Sequence, residues 1–234
     1  MNRSTVSRAA AALAIAAASL GAHAGTVTFH NWTWGNGNAV QVTTPGYSGA
    51  AGGFRATLAG FGGGFDGAVD TYCVELTESF YFGVSYPEYT IVSAASYFSA
   101  AKAEALSRLV GEVMGGGLFA AAAAGFKDDQ STALQLAIWN IVYDTDATLG
   151  GGAFSDTSSY KTGAPAFMGA TDLLQAAALR AASPGYELFV LKSVGAPGHQ
   201  DQLIWRATEV PEPASLALAG LALGAAAFGR RRRA

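Results

Sequence analysis

Ser131-Thr-Ala-Leu-Gln-Leu-Ala-Ile-Trp-Asn-Ile-Val-Tyr-Asp144 is the most strongly patterned segment between the two ends of the chain. Its residues are mostly apolar and compatible with a helix, so the segment predicts a buried helix. Asp128 and Asp129 precede it as N-cap candidates, and the early negative charge of Asp128 complements the helix dipole.

One position of this helix is unusual, because it carries a polar group where a core residue is expected. At about 100° per residue, Gln135 falls on one stripe with Ile138, Trp139 and Val142. A buried amide without partners costs roughly 1–3 kcal/mol. Gln135 is therefore expected either to hydrogen-bond a neighbouring strand or to react with another group.

The single cysteine of the chain is the natural partner for such a reaction. It lies in Asp70-Thr-Tyr-Cys-Val-Glu-Leu76, whose alternation predicts a strand with Tyr72 on one face and Cys73 and Glu75 on the other. A lone thiol cannot form an internal disulfide. In an oxidising compartment it is buried, paired between chains or chemically capped.

These two motifs together resemble the thioester domains of bacterial surface adhesins, in which a Cys thiol is joined to a Gln side chain. The resemblance rests on Tyr72-Cys73 in a strand and on Leu134-Gln-Leu-Ala-Ile-Trp139 in a helix. The family usually has Thr before the Gln, where this chain has Leu134. The resemblance implies a thioester between Cys73 and Gln135. From their spacing, Trp139, one turn beyond Gln135, and Tyr72, beside Cys73, are expected to support it by restricting water.

The N-terminal 24 residues have the pattern of a secretory signal peptide. Arg3 and Arg8 precede an apolar run over residues 9–20, and Ala22-His-Ala24 forms a small-x-small cleavage site. Cleavage by signal peptidase is expected to leave Gly25 as the first residue of a protein exported across the inner membrane. An uncleaved anchor is disfavoured because the apolar run is shorter than the ~20 residues that span a bilayer.

The C-terminal segment, residues 210–234, has three parts. Pro211, Glu212 and Pro213 break regular structure, residues 214–229 are uncharged and rich in Ala, Leu and Gly, and four arginines follow, at Arg230, Arg231, Arg232 and Arg233. As a helix, residues 214–229 would reach about 24 Å, which is short for a ~30 Å hydrocarbon core. They predict a short transmembrane helix that anchors the protein transiently.

This tripartite end resembles the PEP-CTERM sorting signal. The resemblance implies cutting near Pro211-Glu-Pro213 by an exosortase-type membrane protease, and a final location at the cell surface or in the extracellular matrix. A tail anchor that stays in place is the alternative.

Removal of both ends makes the protein strongly acidic. Of 14 basic residues, six lie in the two ends, which leaves 8 against 17 acidic residues, or close to −9, if the cut falls after Glu212. An acidic surface disfavours nucleic acid as a partner and suits a soluble exported protein.

The remaining residues, 25–209, are expected to form a single exported domain. Alternating segments separated by Gly-rich breaks up to about residue 98 predict antiparallel strands, of which the run over residues 81–91 is an edge strand or a loop because of Pro87. Helical patterns predict an insertion at about residues 99–144 and a third helix over residues 171–182. A hairpin over residues 186–208 completes an α+β fold: an antiparallel β-sandwich or barrel-like domain with a helical insertion.

No catalytic, phosphate-binding or metal-binding motif accompanies these features, so neither a cofactor nor a metal is expected. Two functions remain open. In the first, the chain is a covalent adhesin whose thioester reacts once with an amine or hydroxyl of a surface or matrix molecule, and it is not a turnover enzyme. In the second, it is a non-catalytic structural or binding component of the extracellular matrix with a buried Cys73. A sugar-processing enzyme is a third, weaker reading, because acidic residues are plentiful.

Overall fold

The computed structural model describes residues 24–43, 45–116, 118, 127–144, 146–157, 165–181 and 185–208. The strands are β1 (Gly25–Trp32), β2 (Asn38–Val42), β3 (Tyr47–Ala51), β4 (Phe54–Ala59), β5 (Gly67–Cys73), β6 (Ser85–Ser93), β7 (Tyr186–Ser193) and β8 (Gln202–Ala207). The helices are α1 (Ala94–Tyr97), α2 (Ala100–Gly115), α3 (Lys127–Tyr143) and α4 (Pro165–Leu179).

Six of these strands close into an antiparallel barrel in the order β1-β4-β5-β8-β7-β6, and β2 and β3 form a separate hairpin. Alternation builds the barrel core, because Val27 and Phe29 of β1 and Ala56 and Leu58 of β4 are all buried while their neighbours along the strand are more exposed. The α+β class, the barrel-like sheet and the helical insertion are therefore confirmed.

The strand that contains Pro87 is not at an edge, so that expectation was wrong. β6 is one of the six strands that form the closed barrel, and it is hydrogen-bonded on both sides, to β1 and to β7. The β1–β6 register shifts between Gly25, which pairs with Tyr89, and Val27, which pairs with Tyr86. Pro87 lies in this irregularity, where the missing backbone N–H interrupts no regular ladder.

All four helices lie in the connection between β6 and β7, so the insertion runs further than residues 99–144 and includes α4. Ser99 caps α2, since its side chain accepts a hydrogen bond from the Lys102 N–H. The α4 helix begins earlier than the helix predicted over residues 171–182, at Pro165, a residue type favoured in the first turn of a helix.

Helix α3 is buried on every side from Ser131 to Ile141, as expected of a central helix. It contacts α2 and α4 as well as β2, β3 and β5, and these contacts cover its whole circumference. The helix starts earlier than expected, because it begins at Lys127. Asp128 and Asp129 therefore lie in its first turn and are not N-caps, although their charge still complements the helix dipole.

The β2–β3 hairpin is fastened to α3 by buried hydroxyl groups. The Thr132 hydroxyl donates to the Ala51 carbonyl at 2.6 Å and accepts from the Asn38 N–H at 3.0 Å. The Ser131 hydroxyl accepts from the Gly53 N–H at 2.8 Å. These bonds satisfy polar groups that are fully buried, and they fix the hairpin beside the residues that follow on α3.

Candidate functional site

The predicted strand over residues 70–76 ends early, at Cys73. Cys73 pairs with Gln202 of β8, and the next amide, of Val74, bonds to the Asp201 carbonyl at 3.0 Å. Glu75 and Leu76 therefore lie beyond the strand, and the predicted alternation does not extend to them. Cys73 is the last residue of β5, at the end of the barrel that faces α3.

Gln135 meets Cys73 through two hydrogen bonds. The Cys73 backbone N–H donates to Gln135 Oε1 at 2.9 Å, and Gln135 Nε2 donates to the Cys73 carbonyl at 2.8 Å. The carboxamide thus pairs with this backbone as a neighbouring strand would. Since the Cys73 Sγ is only three bonds from its own backbone nitrogen, the thiol and the carboxamide carbon are within side-chain reach.

The Cys73 thiol is almost fully buried, with 1% of the residue exposed. It donates a short hydrogen bond to the Glu75 carbonyl. Burial raises the pKa of Cys73 well above its usual value, so the thiol is the ground-state form at neutral pH.

The Glu75 carboxylate lies in the turn after β5 and not, as predicted, on the Cys73 face of a strand. It accepts hydrogen bonds from the Thr77 N–H at 2.7 Å, the Thr77 hydroxyl at 2.6 Å and the Glu78 N–H. These bonds close the turn that follows β5. The turn fixes the position of the Glu75 backbone carbonyl, which accepts the hydrogen bond from the Cys73 thiol.

Trp139 lies one turn beyond Gln135 on α3 and is 2% exposed. Its ring meets Tyr47 edge to face at a centroid distance of 5.6 Å and lies 6.5 Å from Phe154. Among the described residues, the indole Nε1–H has no partner with hydrogen-bond geometry. It nevertheless interacts with the Cys73 sulfur and lowers the pKa of the thiol, against the larger effect of burial.

Tyr72, the neighbour of Cys73 in β5, packs against other residues than those that line the site. Its ring stacks on Trp205 at 5.8 Å, and its hydroxyl lies 3.4 Å from the Ser131 Oγ. A Cβ at Gly53 would approach the ring to 2.6 Å, so the absence of a side chain there makes room for it. Tyr72 packs β5 against the start of α3.

A cavity of about 260 Å³ adjoins the two residues. Cys73, Gln135 and Trp139 line it together with aromatic residues from β1, β3, β4 and the segment between β5 and β6, namely Trp32, Tyr47, Phe54, Phe80 and Phe82. Glu78 and Phe82, which are exposed, lie on its lining and mark its open side. Glu78 also has a raised pKa, because of its partial desolvation and the nearby Glu75 charge.

The sequence did not point to Tyr47, Phe80, Glu78 or Gln200 as parts of this cavity. They lie on the β2–β3 hairpin and on loops that meet only in the folded chain. Trp32, the last residue of β1, also lines the cavity. It is half-buried, packs on Phe54 at 4.8 Å and contributes to the cavity wall.

The sorting-motif residues Pro211, Glu212, Pro213 and Arg230 to Arg233, and the apolar residues 214–229, lie outside the described residues. In the part of the chain that is described, no helix has the length and apolar character needed to cross a membrane. In the same part, no group of His, Cys, Asp and Glu side chains is arranged to hold a metal ion.

Comparison with known families gives one match, at the C-terminus. Residues 209–233 match the family described as the PEP-CTERM protein-sorting motif. The chain carries a PEP-CTERM signal. This signal implies an exported surface protein that is processed by an exosortase-type enzyme. No curated protein matches the chain.

The body of this PEP-CTERM protein is similar in structure to the N-terminal domain of the Streptococcus pyogenes pilus tip adhesin Cpa. The two share 14% sequence identity, with a TM-score of 0.47 over 82% of this chain and 97% of that domain.

A double substitution tests the structural importance of the Gln135 amide. In a Cys73→Ala background, where no thioester can form, Gln135→Leu leaves the Cys73 N–H and carbonyl unpaired. Each buried unpaired group costs about 1–3 kcal/mol, so the free energy of unfolding in urea should fall by roughly 2–6 kcal/mol.

The matched control is Gln175→Leu in the same background, because Gln175 is an exposed residue of α4. It should change the free energy of unfolding by less than about 0.5 kcal/mol. Equal, small effects of the two Leu substitutions would show that the amide pairing contributes little to stability.

Proposed function

We propose that this chain is an exported covalent adhesin in which Cys73 and Gln135 form an internal thioester. The observation that carries the proposal is the double hydrogen bond between the Gln135 carboxamide and the Cys73 backbone, beside a cavity that opens at Glu78 and Phe82. An acyl group held in that position is shielded by α3 and the hairpin and is reachable from one side.

Formation of the thioester is an acyl transfer within the protein. The Cys73 Sγ attacks Gln135 Cδ, and the carbonyl electrons move onto Oε1 in a tetrahedral intermediate. Collapse of that intermediate forms the S–C bond and breaks the C–N bond, and Nε2 departs as ammonia with the thiol proton. The thiol proton therefore balances the leaving group, and no co-reactant is needed.

The two hydrogen bonds favour this reaction in different ways. The Cys73 N–H at 2.9 Å from Oε1 is a donor to the oxygen on which negative charge develops. The bond from Nε2 to the Cys73 carbonyl fixes the rotation of the carboxamide, so its face stays in a constant relation to the sulfur. Amides are poor acyl donors, and positioning of this kind supplies effective molarities of order 10⁵ M or more.

Discharge of the thioester attaches the protein to its target. An amine or hydroxyl that enters the cavity attacks the same carbonyl, the Gln135 acyl group passes to it, and the Cys73 thiol is released. Because Gln135 is then permanently linked to the target, each molecule reacts once. The protein acts as a reagent and not as a turnover enzyme.

The test of this proposal is the intact mass of the exported protein. A thioester lowers the mass by one ammonia relative to the sequence, and treatment with methylamine adds one methylamine to that lowered mass. Cys73→Ala and Gln135→Ala should each show the full mass and no reaction with methylamine. A full mass in the unsubstituted protein, with a thiol that titrates freely after mild unfolding, would contradict the proposal.

One observation favours the second candidate, a structural or binding component of the extracellular matrix. The Gln135 carboxamide is fully paired as it stands, and burial keeps the Cys73 thiol protonated. Both residues would then be ordinary core groups that join α3 to β5. The intact mass distinguishes this role from the adhesin, because an inert core keeps its ammonia.

Processing at the C-terminus is a separate part of the proposal. We expect the exosortase-type enzyme to remove everything after about Pro213, so that residues 214–229 anchor the protein only transiently. Peptide mapping of the protein from its native host should end near Pro213. Dominant peptides from residues 216–228 would show that the tail stays in place as an anchor.

A further inference from the structure

Within the described ranges of the chain, the buried Trp139 indole N–H has no acceptor in hydrogen-bond geometry, and neither the fold nor the thioester chemistry described above uses it. A buried donor of this kind costs free energy, so its presence calls for an explanation. The indole lines the same cavity as the Cys73 sulfur and the Gln135 carboxamide.

We propose that the Trp139 N–H is the hydrogen-bond donor to the Cys73 sulfur whenever that sulfur carries negative charge. It would act when the sulfur attacks Gln135 and again when the sulfur leaves as a nucleophile opens the thioester. This role rests on the proposed thioester, but the interaction itself is a property of the folded chain and is measurable without it.

The argument begins with the ground state. In the ground state the thiol donates to the Glu75 carbonyl. A neutral sulfur is a weak acceptor, so a hydrogen bond from the indole N–H to it contributes little stabilisation. A thiolate accepts a charge-assisted hydrogen bond that is roughly twice as strong as a neutral one. The interaction therefore strengthens as charge develops, which is the property that lowers a reaction barrier.

The other charges near the sulfur oppose the thiolate. Glu75 and Asp201 both raise the pKa of Cys73 by their negative charge. The hydroxyls of Tyr47 and Tyr143 are close enough to couple electrostatically to the thiol, and the pKa of each is raised, that of Tyr143 to about 12, so both are neutral at physiological pH. Trp139 and the backbone of Glu75 act in the opposite direction and lower the pKa of the thiol.

The packing of Trp139 keeps the donor in place. The residue projects from the buried part of α3, one turn after Gln135, and the Tyr47 and Phe154 rings contact it from the hairpin side and from the segment after α3. These contacts confine the indole to the cavity that the Cys73 sulfur also lines, so only the direction of its N–H has to adjust when the sulfur becomes charged. A donor confined in this way costs less reorganisation energy during the reaction than a solvent-exposed one.

Aminolysis of the thioester tests the role in the reaction. In Trp139→Phe, which keeps an aromatic ring and removes the N–H, methylamine should open the thioester about 10- to 100-fold more slowly than in the unsubstituted protein. Trp34→Phe is the matched control, because it also removes an indole N–H but Trp34 does not line the cavity, and its rate should stay within about threefold of that of the unsubstituted protein. Equal rates in all three proteins would overturn the proposal.

A second measurement does not require the thioester. In Gln135→Ala the sulfur remains a free thiol, and adding Trp139→Phe should raise its pKa, read from thiolate absorbance, whereas adding Trp34→Phe should not. In Gln135→Ala with Trp139 intact, the indole ¹H–¹⁵N resonance of Trp139 should move downfield as the thiol ionises. A resonance that does not respond to that ionisation would refute the interaction even if Trp139→Phe fails to fold. A response in Gln135→Ala, together with a full, ammonia-retaining mass of the unsubstituted protein, would support the interaction while rejecting the thioester.

Discussion

The pair of hydrogen bonds between the Gln135 carboxamide and the Cys73 backbone is the constraint on which the surrounding structure depends. They join a helix of the insertion to the last residue of a barrel strand, at 2.9 and 2.8 Å. Without them, two buried backbone groups of β5 and a buried amide of α3 would lack partners. The free-energy cost of leaving these groups unpaired is larger than the net stabilisation that the bonds provide.

These bonds require α3 to lie deep in the molecule, and the rest of the insertion makes that possible. Helices α2 and α4 cover its outer side, and the β2–β3 hairpin covers another through the Ser131 and Thr132 hydroxyls. The hairpin also brings Tyr47 onto Trp139, whose indole lines the same cavity as Cys73. The groups that hold α3 in place therefore also shape the cavity.

Much of this arrangement was predictable from local pattern. Alternating residues predicted the strands, and the apolar run around Gln135 predicted a buried helix. The conflict between an amide and its apolar neighbours indicated that Gln135 needs a partner, and the single cysteine suggested which one. The predicted contact of this helix with the Cys73 strand appears in the structure as a contact with the backbone of Cys73 itself.

The features that were missed depend on contacts between distant parts of the chain. Pro87 indicated an edge strand or a loop, because proline cannot donate to a regular ladder. The register shift between β1 and β6 that accommodates it depends on both strands and cannot be seen in the sequence of one. The strand after Asp70 was predicted to continue through Leu76, whereas the Val74 amide turns to Asp201, more than a hundred residues away in the sequence. The position of Tyr47 at the cavity likewise follows from the tertiary position of the hairpin, and helix boundaries such as Lys127 are set by packing as much as by caps.

The account's central claim is that Cys73 and Gln135 are covalently joined in the exported protein, and a high-resolution crystal structure of that protein tests it most directly. The account predicts continuous electron density from Cys73 Sγ to Gln135 Cδ, no density for Nε2, and a Cys73 carbonyl released from its bond to the amide. Two separate side chains, with an intact carboxamide still bonded to the Cys73 N–H and carbonyl, would contradict it.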